Sequence, residues 1–489
     1  MRFIPILLAC GLGLSAFAVT SAHAGRGEPP YSLTHAATLS GTVPRIDLPP
    51  VSQKQLLKAD ADANASSQGE SPDKRLRIAV PNRIDIDAAR DGRWDVLPDG
   101  SRLWRIALHA DGATDFRLGF SNFKVPQDAT LHLVDPVSRN HVGPITAADT
   151  SPQGQLWLAP FPGNTPTIEL RIPAGTDLAP GDVVLSNAGA GYRNATQSGG
   201  PGLFGAGVSG TCNVDVACPL GNPYPLEKRA VAKIYYDEPD GTYLCTGTLM
   251  NDTYQDFVPY FLTANHCVNT QAAATSMSLI WNYESPTCGA HGNATMQDVQ
   301  YGGATLLAHR ADVDFSLVRL NSQPSSAFQV AYAGWYASTG VPGGSIGIHH
   351  PSGWVKAITQ NTHAPTTVNN CIGTGGGSTA THWRVGPYAQ GTTEGGSSGS
   401  AIFIPAGDAS GFGNRAIGIL SGGSSECSGN VPNAGSDCYG KLSVAFDGPS
   451  PSQRLRDWLA DGIFKSGFEA FTYFTSAAEA SAPTVAAPQ

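Results

Sequence analysis

The placement of the cysteines is the feature that most restricts how this chain folds. Apart from Cys10, all eight cysteines lie between Cys212 and Cys438, and residues 25–206 contain none. An even number of cysteines confined to one segment of an exported chain is typical of a disulfide framework. A zinc site is disfavoured, because the sequence has no Cys-x-x-Cys pair and Cys212 and Cys218 are isolated from potential co-ligands. We therefore predict that only the second half of the chain is cross-linked.

The N-terminus predicts export. Residues 1–24 combine a positive start at Arg2, an apolar stretch that runs to Val19, and a small-x-small sequence at Ala22-His23-Ala24. The apolar stretch is too short and too interrupted for a transmembrane helix. A lipoprotein site at Cys10 is the weaker alternative, because the apolar run before it is short. We expect a signal peptide and a secreted, extracellular protein without a membrane span.

Alternation of apolar and polar residues predicts β-strands in both halves of the chain. Within residues 75–190, runs of period two cover residues 103–109, 130–134 and 167–172. Residues 207–462 contain many short apolar runs broken by Gly and Pro, which is the pattern of a two-barrel, all-β domain. A composition with 57 Gly, 36 Pro and only 14% charged residues agrees with loop-rich β structure. The predicted fold is all-β, with a small β-rich domain before the two-barrel domain.

Composition also marks the expected boundaries. Residues 25–74 are polar and predict a weakly ordered leader, whereas residues 191–206 predict a flexible linker. Ser450 and Pro451 predict the N-cap and first residue of a C-terminal helix. One face of that helix, with Leu455, Trp458 and Leu459, would dock on the second barrel. Residues 463–489 follow as a tail.

Two short motifs about 130 residues apart carry the chemistry. The first ends an apolar strand in His266-Cys267, which suits a general base held by a disulfide. The second, residues 395–400, suits a nucleophile at Ser398, the third position of Gly-x-Ser-Gly. The N–H groups of Gly396 and Ser398 would then form an oxyanion hole. With an aspartate between the motifs, the order His, Asp, Ser resembles the chymotrypsin-fold serine endopeptidases.

Neighbouring residues offer alternatives. Ser397 and Ser400 also stand in the second motif, but neither takes the third position. A Ser- and Gly-rich loop without chemistry is the other interpretation, and the presence of His266 argues against it. The adjacent pair His349-His350 could indicate a metal site, but neighbouring strand residues point to opposite faces, so a structural role is favoured. The proposed chemistry requires no metal and no cofactor.

Further short motifs of the second domain follow one another in a characteristic order along the sequence. They are residues 207–215, Trp281-Asn282-Tyr283, Asp314-Phe315-Ser316-Leu317, Ala333-Gly334-Trp335, His349-His350-Pro351 and, apart from its cysteine, residues 436–440. In this order they resemble the bacterial lysyl endopeptidases over about residues 207–460. The resemblance implies a precursor with a propeptide at residues 25–206 and a mature start at Gly207. It also implies that Asp314 orients His266, with Asp312 as the alternative.

The same resemblance implies a disulfide pattern. Three pairs carry over by position: Cys212 with Cys427, Cys218 with Cys288, and Cys245 with Cys267. The third would brace the loop that presents His266. Cys371 and Cys438 have no counterpart in the family pattern, and we expect them to pair with each other.

A lysine side chain of the substrate would need a buried carboxylate as its partner. Asp437 matches the aspartate that serves this purpose in the family, whereas Thr392 stands where trypsin carries its acid, six residues before Ser398. Glu394 is the alternative acid for this pocket. Cleavage after lysine is therefore expected, with arginine as the second choice.

Other parts of the cleft are also implied by the resemblance. Trp335 matches a family tryptophan near the cleft, and Ser421 and Gly422 lie in a segment that resembles the strand pairing with substrate backbone. Ser421 replaces a family histidine, and the segment between Cys427 and Asp437 is one residue longer than in the family.

Activation departs from the family expectation. Ala206 precedes Gly207, so a lysine-specific enzyme could not make that cut itself, and the nearest basic residue upstream is Arg193. We expect maturation by another protease, or trimming after a first cut elsewhere. Ser397 stands where chymotrypsin has the aspartate that binds the new N-terminus, so that switch is expected to be absent.

The sequence thus predicts a secreted serine endopeptidase that cleaves after lysine. The alternatives are the same fold with arginine or broad preference, and a catalytically dead binding or adhesion protein. Intact His266, Asp314 and Ser398 argue against the dead scaffold. We expect a monomer that acts on protein or peptide substrates, with its own propeptide as folding aid or inhibitor. The net charge of −9 argues against nucleic acid as a partner.

Overall fold

The computed structural model describes residues 29–39, 41–66, 74–194, 209–290, 294, 298–369 and 380–460. The predicted signal peptide, residues 195–206 of the predicted linker, Gly207, Cys371 and the tail lie outside these ranges. In the part of the chain that is described, no helix is long and apolar enough to cross a membrane.

The N-terminal domain, residues 29–194, is built from two β-sheets. Its strands are β1 (Arg45–Asp47), β2 (Leu76–Val80), β3 (Arg83–Asp87), β4 (Arg93–Val96), β5 (Arg102–His109), β6 (Asp115–Phe123), β7 (Thr130–Val134), β8 (His141–Ile145), β9 (Leu156–Trp157), β10 (Phe161–Pro162), β11 (Thr167–Ile172) and β12 (Val183–Gly191). Helices α1 (Tyr31–Thr34) and α2 (Gln53–Ser66) precede most of them. One sheet runs in the order β1-β5-β11-β7-β8, with β4 on β5. Strands β5, β7 and β11 confirm the strands that were predicted at residues 103–109, 130–134 and 167–172.

The expected disorder of residues 25–74 is wrong for two parts of this segment. Strand β1 pairs in parallel with β5, and α2 forms a 14-residue helix. Apolar residues of the segment, among them Val51, Leu56 and Leu57, pack on the core of the N-terminal domain. They are too sparse to form a periodic signal, so their structure depends on tertiary contacts that composition does not report. The folded part also extends past residue 190, because Tyr192 is buried and Arg193 pairs with Asp60.

The C-terminal domain, residues 209–460, contains two curled sheets. Its strands are β13 (Val214–Asp215), β14 (Val231–Glu238), β15 (Gly241–Met250), β16 (Tyr260–Thr263), β17 (Ser278–Trp281), β18 (Asp298–Gln300), β19 (Ala304–Arg310), β20 (Phe315–Leu320), β21 (Ser345–His349), β22 (Ala357–Asn361), β23 (Thr366–Val368), β24 (His382–Val385), β25 (Ala401–Phe403), β26 (Ala416–Gly423), β27 (Cys427–Ser428), β28 (Val431–Pro432) and β29 (Asp437–Lys441). Its helices are α3 (Pro225–Ala230), α4 (Gln271–Thr275), α5 (Leu442–Ala445) and α6 (Arg456–Leu459). Strands β14 to β20 form the first barrel, and an eight-stranded sheet in the order β13-β22-β21-β25-β26-β29-β24-β23 forms the second. The all-β, chymotrypsin-like fold is confirmed.

The C-terminal helix is shorter than predicted. Pro451–Gln453 form a separate 3₁₀ turn, Ser450 makes no side-chain cap to it, and α6 covers only Arg456–Leu459. Leu455 and Leu459 are nevertheless buried, and Trp458 packs partly against the same core. The buried face was therefore predicted correctly, but the helix start was not. The predicted docking on the second barrel is also not what the contacts show, because the Leu459 and Gln453 carbonyls accept from Thr253 and Arg310 of the first barrel.

Strand β2 joins the two domains. It lies between β12 of the N-terminal domain and β15 of the first barrel, so that a single sheet runs through both. Ile78 and Ala79 of β2 are fully buried, and the buried Arg117 of the N-terminal domain pairs with Asp237 of the first barrel. This shared sheet fixes the residues just before β2 against the cleft between the barrels.

Candidate active site

A disulfide holds the loop that carries His266. The loop follows β16, and Cys267 is bonded to Cys245 in the neighbouring strand β15. The disulfides Cys212–Cys427 and Cys218–Cys288 are also formed, in agreement with the pairing that the resemblance implies. Cys438 is disulfide-bonded as well, and its expected partner Cys371 lies outside the described residues.

Asp314 fixes the orientation of the His266 ring. Its Oδ2 lies 2.7 Å from His266 Nδ1, and its Oδ1 accepts the backbone N–H of His266 at 2.9 Å. Burial raises the pKa of the Asp314 carboxyl, but the charge and hydrogen bonds of His266 outweigh burial, and the pKa is lowered overall. An ionised carboxylate can only accept hydrogen bonds, so in the neutral form of the His266 ring Nδ1 carries the proton and Nε2 is left as an acceptor. Asp312, the alternative, is exposed and pairs with Arg310.

Ser398 completes a hydrogen-bonded row with His266 and Asp314. Its Oγ lies 2.7 Å from His266 Nε2, the nitrogen that accepts. The turn needs glycine on both sides: Gly396 and Gly399 have positive φ angles of 92° and 83°. A Cβ at residue 399 would lie 2.2 Å from Thr263 Oγ1, where no side chain fits. Ser397 points elsewhere, since its hydroxyl lies 2.8 Å from His349 Nδ1.

The backbone N–H groups of the same turn point at a carbonyl from the N-terminal domain. The Gly396 N–H donates to the carbonyl oxygen of Lys74, and the Ser398 nitrogen lies 3.4 Å from that oxygen. A carbonyl between two such donors next to a serine hydroxyl is in the position where an oxyanion would develop.

The side chain of Lys74 fills a pocket lined with oxygen atoms. Its ammonium donates to Asp437 Oδ1 at 2.9 Å, to the carbonyl and hydroxyl of Thr393 at 2.9 and 2.7 Å, and to those of Ser425 at 2.8 and 3.0 Å. Both side chains are buried, with 7% of Lys74 and none of Asp437 exposed. Because an isolated charge is costly to bury, this pocket is chemically suited to one primary ammonium.

Hydroxyl groups hold the Asp437 carboxylate in place. Its Oδ2 accepts hydrogen bonds from Thr393 at 2.6 Å and from Tyr388 at 2.9 Å, and also from Ser425. Gly423 lies against it, because a Cβ at that position would be 2.0 Å from Asp437 Oδ1. The sequence predicted Asp437 through the family resemblance alone. Thr393, Ser425 and Tyr388 were missed, since nothing in their local sequence marks them.

The other predicted cleft residues have varied environments. Glu394, the alternative acid, faces away from the pocket and accepts hydrogen bonds from Gly210, Asn213 and Ser352. Trp335 lies in the core, where its indole N–H donates to the Asn251 carbonyl. We therefore assign neither residue a contact with a substrate lysine.

Ser421 and Gly422 lie in β26 beside the site. The Ser421 hydroxyl hydrogen-bonds to Asp314 and also lies 3.2 Å from Nε2 of His382. Burial lowers the pKa of His382 to about 4, so that its ring is neutral at physiological pH. Gly422 pairs with Cys438 in β29, next to Asp437. Ser421 thus supports Asp314 in addition to His266, a contact that the sequence did not indicate.

Ser421→Ala is expected to lower the free energy of unfolding by about 1.5–3 kcal/mol at pH 7, because a hydrogen bond to a charged group is lost. The Ser421 hydrogen bond helps to lower the pKa of Asp314, so its contribution is present above the unfolded value, near 4, and disappears as pH falls and the carboxyl protonates. Urea unfolding between pH 7 and pH 3 measures the loss in free energy of unfolding as a function of pH. Both proteins carry Ser398→Ala, which prevents autolysis. A loss that does not change with pH would contradict the assignment.

One group of potential metal ligands lies close together among the described residues, namely Cys245, His266 and Cys267. The two cysteines are bonded to each other, so neither thiolate is available to an ion. His349 and His350 do not share a site: Nδ1 of His350 faces the Trp354 carbonyl, whereas Nδ1 of His349 faces Ser397.

A two-barrel fold with aligned Ser, His and Asp side chains defines a chymotrypsin-like serine protease. Sequence comparison narrows the class. The family described as "Lysyl endopeptidase, C-terminal domain" matches residues 206–440, and "Lysyl endopeptidase N-terminal domain" matches residues 47–186. A lysyl endopeptidase of Pseudomonas aeruginosa is 33% identical over 365 residues, which cover 72% of this chain and 74% of that protein. The chain belongs to the lysyl endopeptidase family.

Solved structures of serine proteases resemble slightly less than half of the chain. The thermostable serine protease AL20 from an extremophilic microorganism has 12% identity and a TM-score of 0.30, and covers 46% of this chain and 93% of its own. Protease Anisep from Arthrobacter nicotinovorans has 15% identity and a TM-score of 0.31, and the match covers 45% of this chain and 92% of Anisep.

Proposed function

We propose that this serine protease is made as a secreted precursor and hydrolyses peptide bonds after lysine. The observation that carries the proposal is the position of Lys74: its ammonium lies in the Asp437 pocket, and its carbonyl faces the N–H groups of Gly396 and Ser398. A substrate lysine would bind in the same way.

The pocket favours lysine over arginine. A guanidinium is broader and longer than an ammonium and needs a planar set of acceptors. The five oxygens of Thr393, Ser425 and Asp437 already lie 2.7–3.0 Å from Lys74 Nζ, which leaves no space for the larger group. An ammonium has three protons, and the five oxygens around it can accept all of them.

The proposed reaction proceeds through an acyl-enzyme. His266 Nε2 takes the proton of Ser398 as its Oγ attacks the lysyl carbonyl carbon, and the oxyanion is stabilised by the N–H groups of Gly396 and Ser398, at about 3–4 kcal/mol for each donor. His266 then gives the proton to the departing amine. Water cleaves the ester in the second half, with His266 as base again. Asp314 keeps the ring oriented and stabilises its charged form.

The N-terminal domain would act as a propeptide that is removed after export. Residue Lys74 of that domain occupies the cleft that a substrate would need, which supports an inhibitory role. Three disulfides within the described residues agree with an oxidising compartment such as the cell exterior.

Peptide mapping tests the proposal. Processed enzyme from a culture that expresses the full chain digests a denatured protein mixture, and mass spectrometry identifies the new termini. We expect cuts after lysine, and none from a Ser398→Ala chain prepared in the same way. Cuts mainly after arginine or apolar residues would overturn the pocket assignment, and no cuts by a folded enzyme would support the dead-scaffold alternative.

A further inference from the structure

Lys74 and Arg75 cross the cleft as a substrate would. The lysine side chain is in the Asp437 pocket, and its carbonyl oxygen, which belongs to the Lys74–Arg75 peptide bond, accepts from Gly396 and approaches the Ser398 nitrogen. Ser398 Oγ is hydrogen-bonded to His266 in the same arrangement. The bond that the reaction would break is therefore the one between Lys74 and Arg75.

The residues after this bond are also held in place. The Arg75 guanidinium contacts Glu238 at 3.3 Å and the His266 carbonyl at 3.4 Å, and it stacks on the Tyr243 ring. The next residue, Leu76, pairs with Leu244 in β15 and lies next to Gly395, where a Cβ would be 3.2 Å from its Cδ1. Holding both sides of a bond within one molecule gives a high effective concentration, so a cut in the same molecule is favoured over a cut between molecules.

The sheet that follows keeps the leaving group in place. Strand β2 begins at Leu76, after the bond, and pairs with β12 and β15, so breaking the bond removes none of these strand pairings. A new amine on Arg75 would stay beside the acyl-enzyme and compete with water for it. The cut alone would therefore not clear the cleft, because both ends stay bound until the N-terminal domain leaves.

We propose that Lys74–Arg75 is a self-cleavage site, cut within the same molecule, and that this segment blocks the cleft until the N-terminal domain is removed. The inference rests on the proposed function and adds the first substrate and the regulation of that site. It also supplies a first cut far upstream of Gly207, where Ala206 excludes a lysine-specific cut.

The step balances without any further reactant than water. Ser398 Oγ bonds to the Lys74 carbonyl carbon, the carbon–nitrogen bond to Arg75 breaks, and the serine proton passes through His266 to the Arg75 nitrogen. Water then attacks the ester, its proton goes to His266, and Ser398 recovers a proton. The products are a chain ending in the Lys74 carboxylate and one beginning with the Arg75 amine.

Self-cleavage is measured on the full chain refolded from denaturant, by intact mass and N-terminal sequencing over time. We expect a fragment that begins at Arg75, with a first-order rate constant that is the same over a hundredfold range of protein concentration. Ser398→Ala should give no such fragment. A rate constant that rises in proportion to concentration would overturn cleavage within one molecule.

A matched pair of lysine variants tests the role of the pocket. Lys74→Gln is expected to slow cleavage after residue 74 by roughly 100-fold or more, because the ammonium that fits the Asp437 pocket is absent. Lys58→Gln is the control: Lys58 is 75% exposed and pairs with Asp62 on its own helix, and its loss should leave the rate unchanged. Equal rates in both variants would overturn the assignment of Lys74.

A lysyl peptide substrate added in parallel separates this inference from the proposed function. Cleavage of the peptide by wild-type protein without any cut after Lys74 would overturn the self-cleavage site alone. A folded protein that cuts neither the peptide nor itself would overturn both. Inhibition is tested by adding the peptide to the Lys74→Gln chain, which should hydrolyse it faster at early times than the wild-type chain does.

Discussion

Ser398→Ala is expected to lower kcat for hydrolysis of a lysyl peptide roughly 10⁶-fold, the loss seen when a serine nucleophile of this kind is removed. The physical reason is that the Ser398 hydroxyl, 2.7 Å from His266 Nε2, is the group that attacks in the proposed mechanism, and alanine has no hydroxyl to replace it. Once another protease has removed the N-terminal domain from the variant, binding of the substrate lysine should persist, because the Asp437 pocket is unchanged. Steady-state kinetics of the purified variant measures kcat and KM separately.

Two comparisons make this result specific to Ser398. Ser400→Ala removes a buried hydroxyl that has no hydrogen-bond partner within the described residues, and it should retain activity within about twofold. A His266→Ala, Ser398→Ala double variant should lose little more than Ser398→Ala alone, because the two residues act as a unit. A Ser398→Ala enzyme with more than about 1% of wild-type activity would mean that the nucleophile is another residue.

The proximity of Ser398 and His266 could be predicted because each stands in a local motif whose residues determine its geometry. Positive φ angles at Gly396 and Gly399 require glycine, and the disulfide at Cys267 fixes the loop of its neighbour His266. The need for glycine at a positive φ and for a cysteine beside the histidine can be recognised in a few consecutive residues of the sequence. Asp314 was distinguished from Asp312 only by family resemblance, since spacing alone allows both.

The contents of the pocket could not be predicted in the same way. Lys74 and Asp437 are 363 residues apart, and their contact depends on β2 joining the sheet of the first barrel. No local pattern reports a strand that pairs across a domain boundary. A family resemblance also does not report where a side chain points. Trp335 matches a family tryptophan by its position along the chain, but its side chain lies in the core. Glu394 was the alternative acid for the pocket, and its carboxylate instead accepts the Gly210 N–H at the start of the C-terminal domain.

Asp437→Asn is the second large effect, and it acts on substrate choice instead of on the chemical step. Removing one partner of a buried ion pair costs about 3–5 kcal/mol, so kcat/KM for a lysyl peptide should fall roughly 10²- to 10⁴-fold. The asparagine also has one acceptor oxygen where the aspartate has two, and the hydroxyls of Thr393 and Tyr388 then compete with the ammonium for it.

A substrate with norleucine in place of lysine separates loss of the pocket from loss of the catalytic groups. Norleucine keeps the four side-chain carbons of lysine but lacks the ammonium, so its cleavage should be unchanged or faster in Asp437→Asn, because an unpaired carboxylate no longer has to be buried against it. The selectivity ratio of lysine to norleucine should therefore collapse while the triad still works. Asp312→Asn, which removes an exposed carboxylate paired with Arg310, is the matched control and should leave the ratio unchanged. If Asp437→Asn kept the wild-type ratio, the lysine-selecting charge would have to lie elsewhere, and the position of Lys74 would no longer support cleavage after lysine.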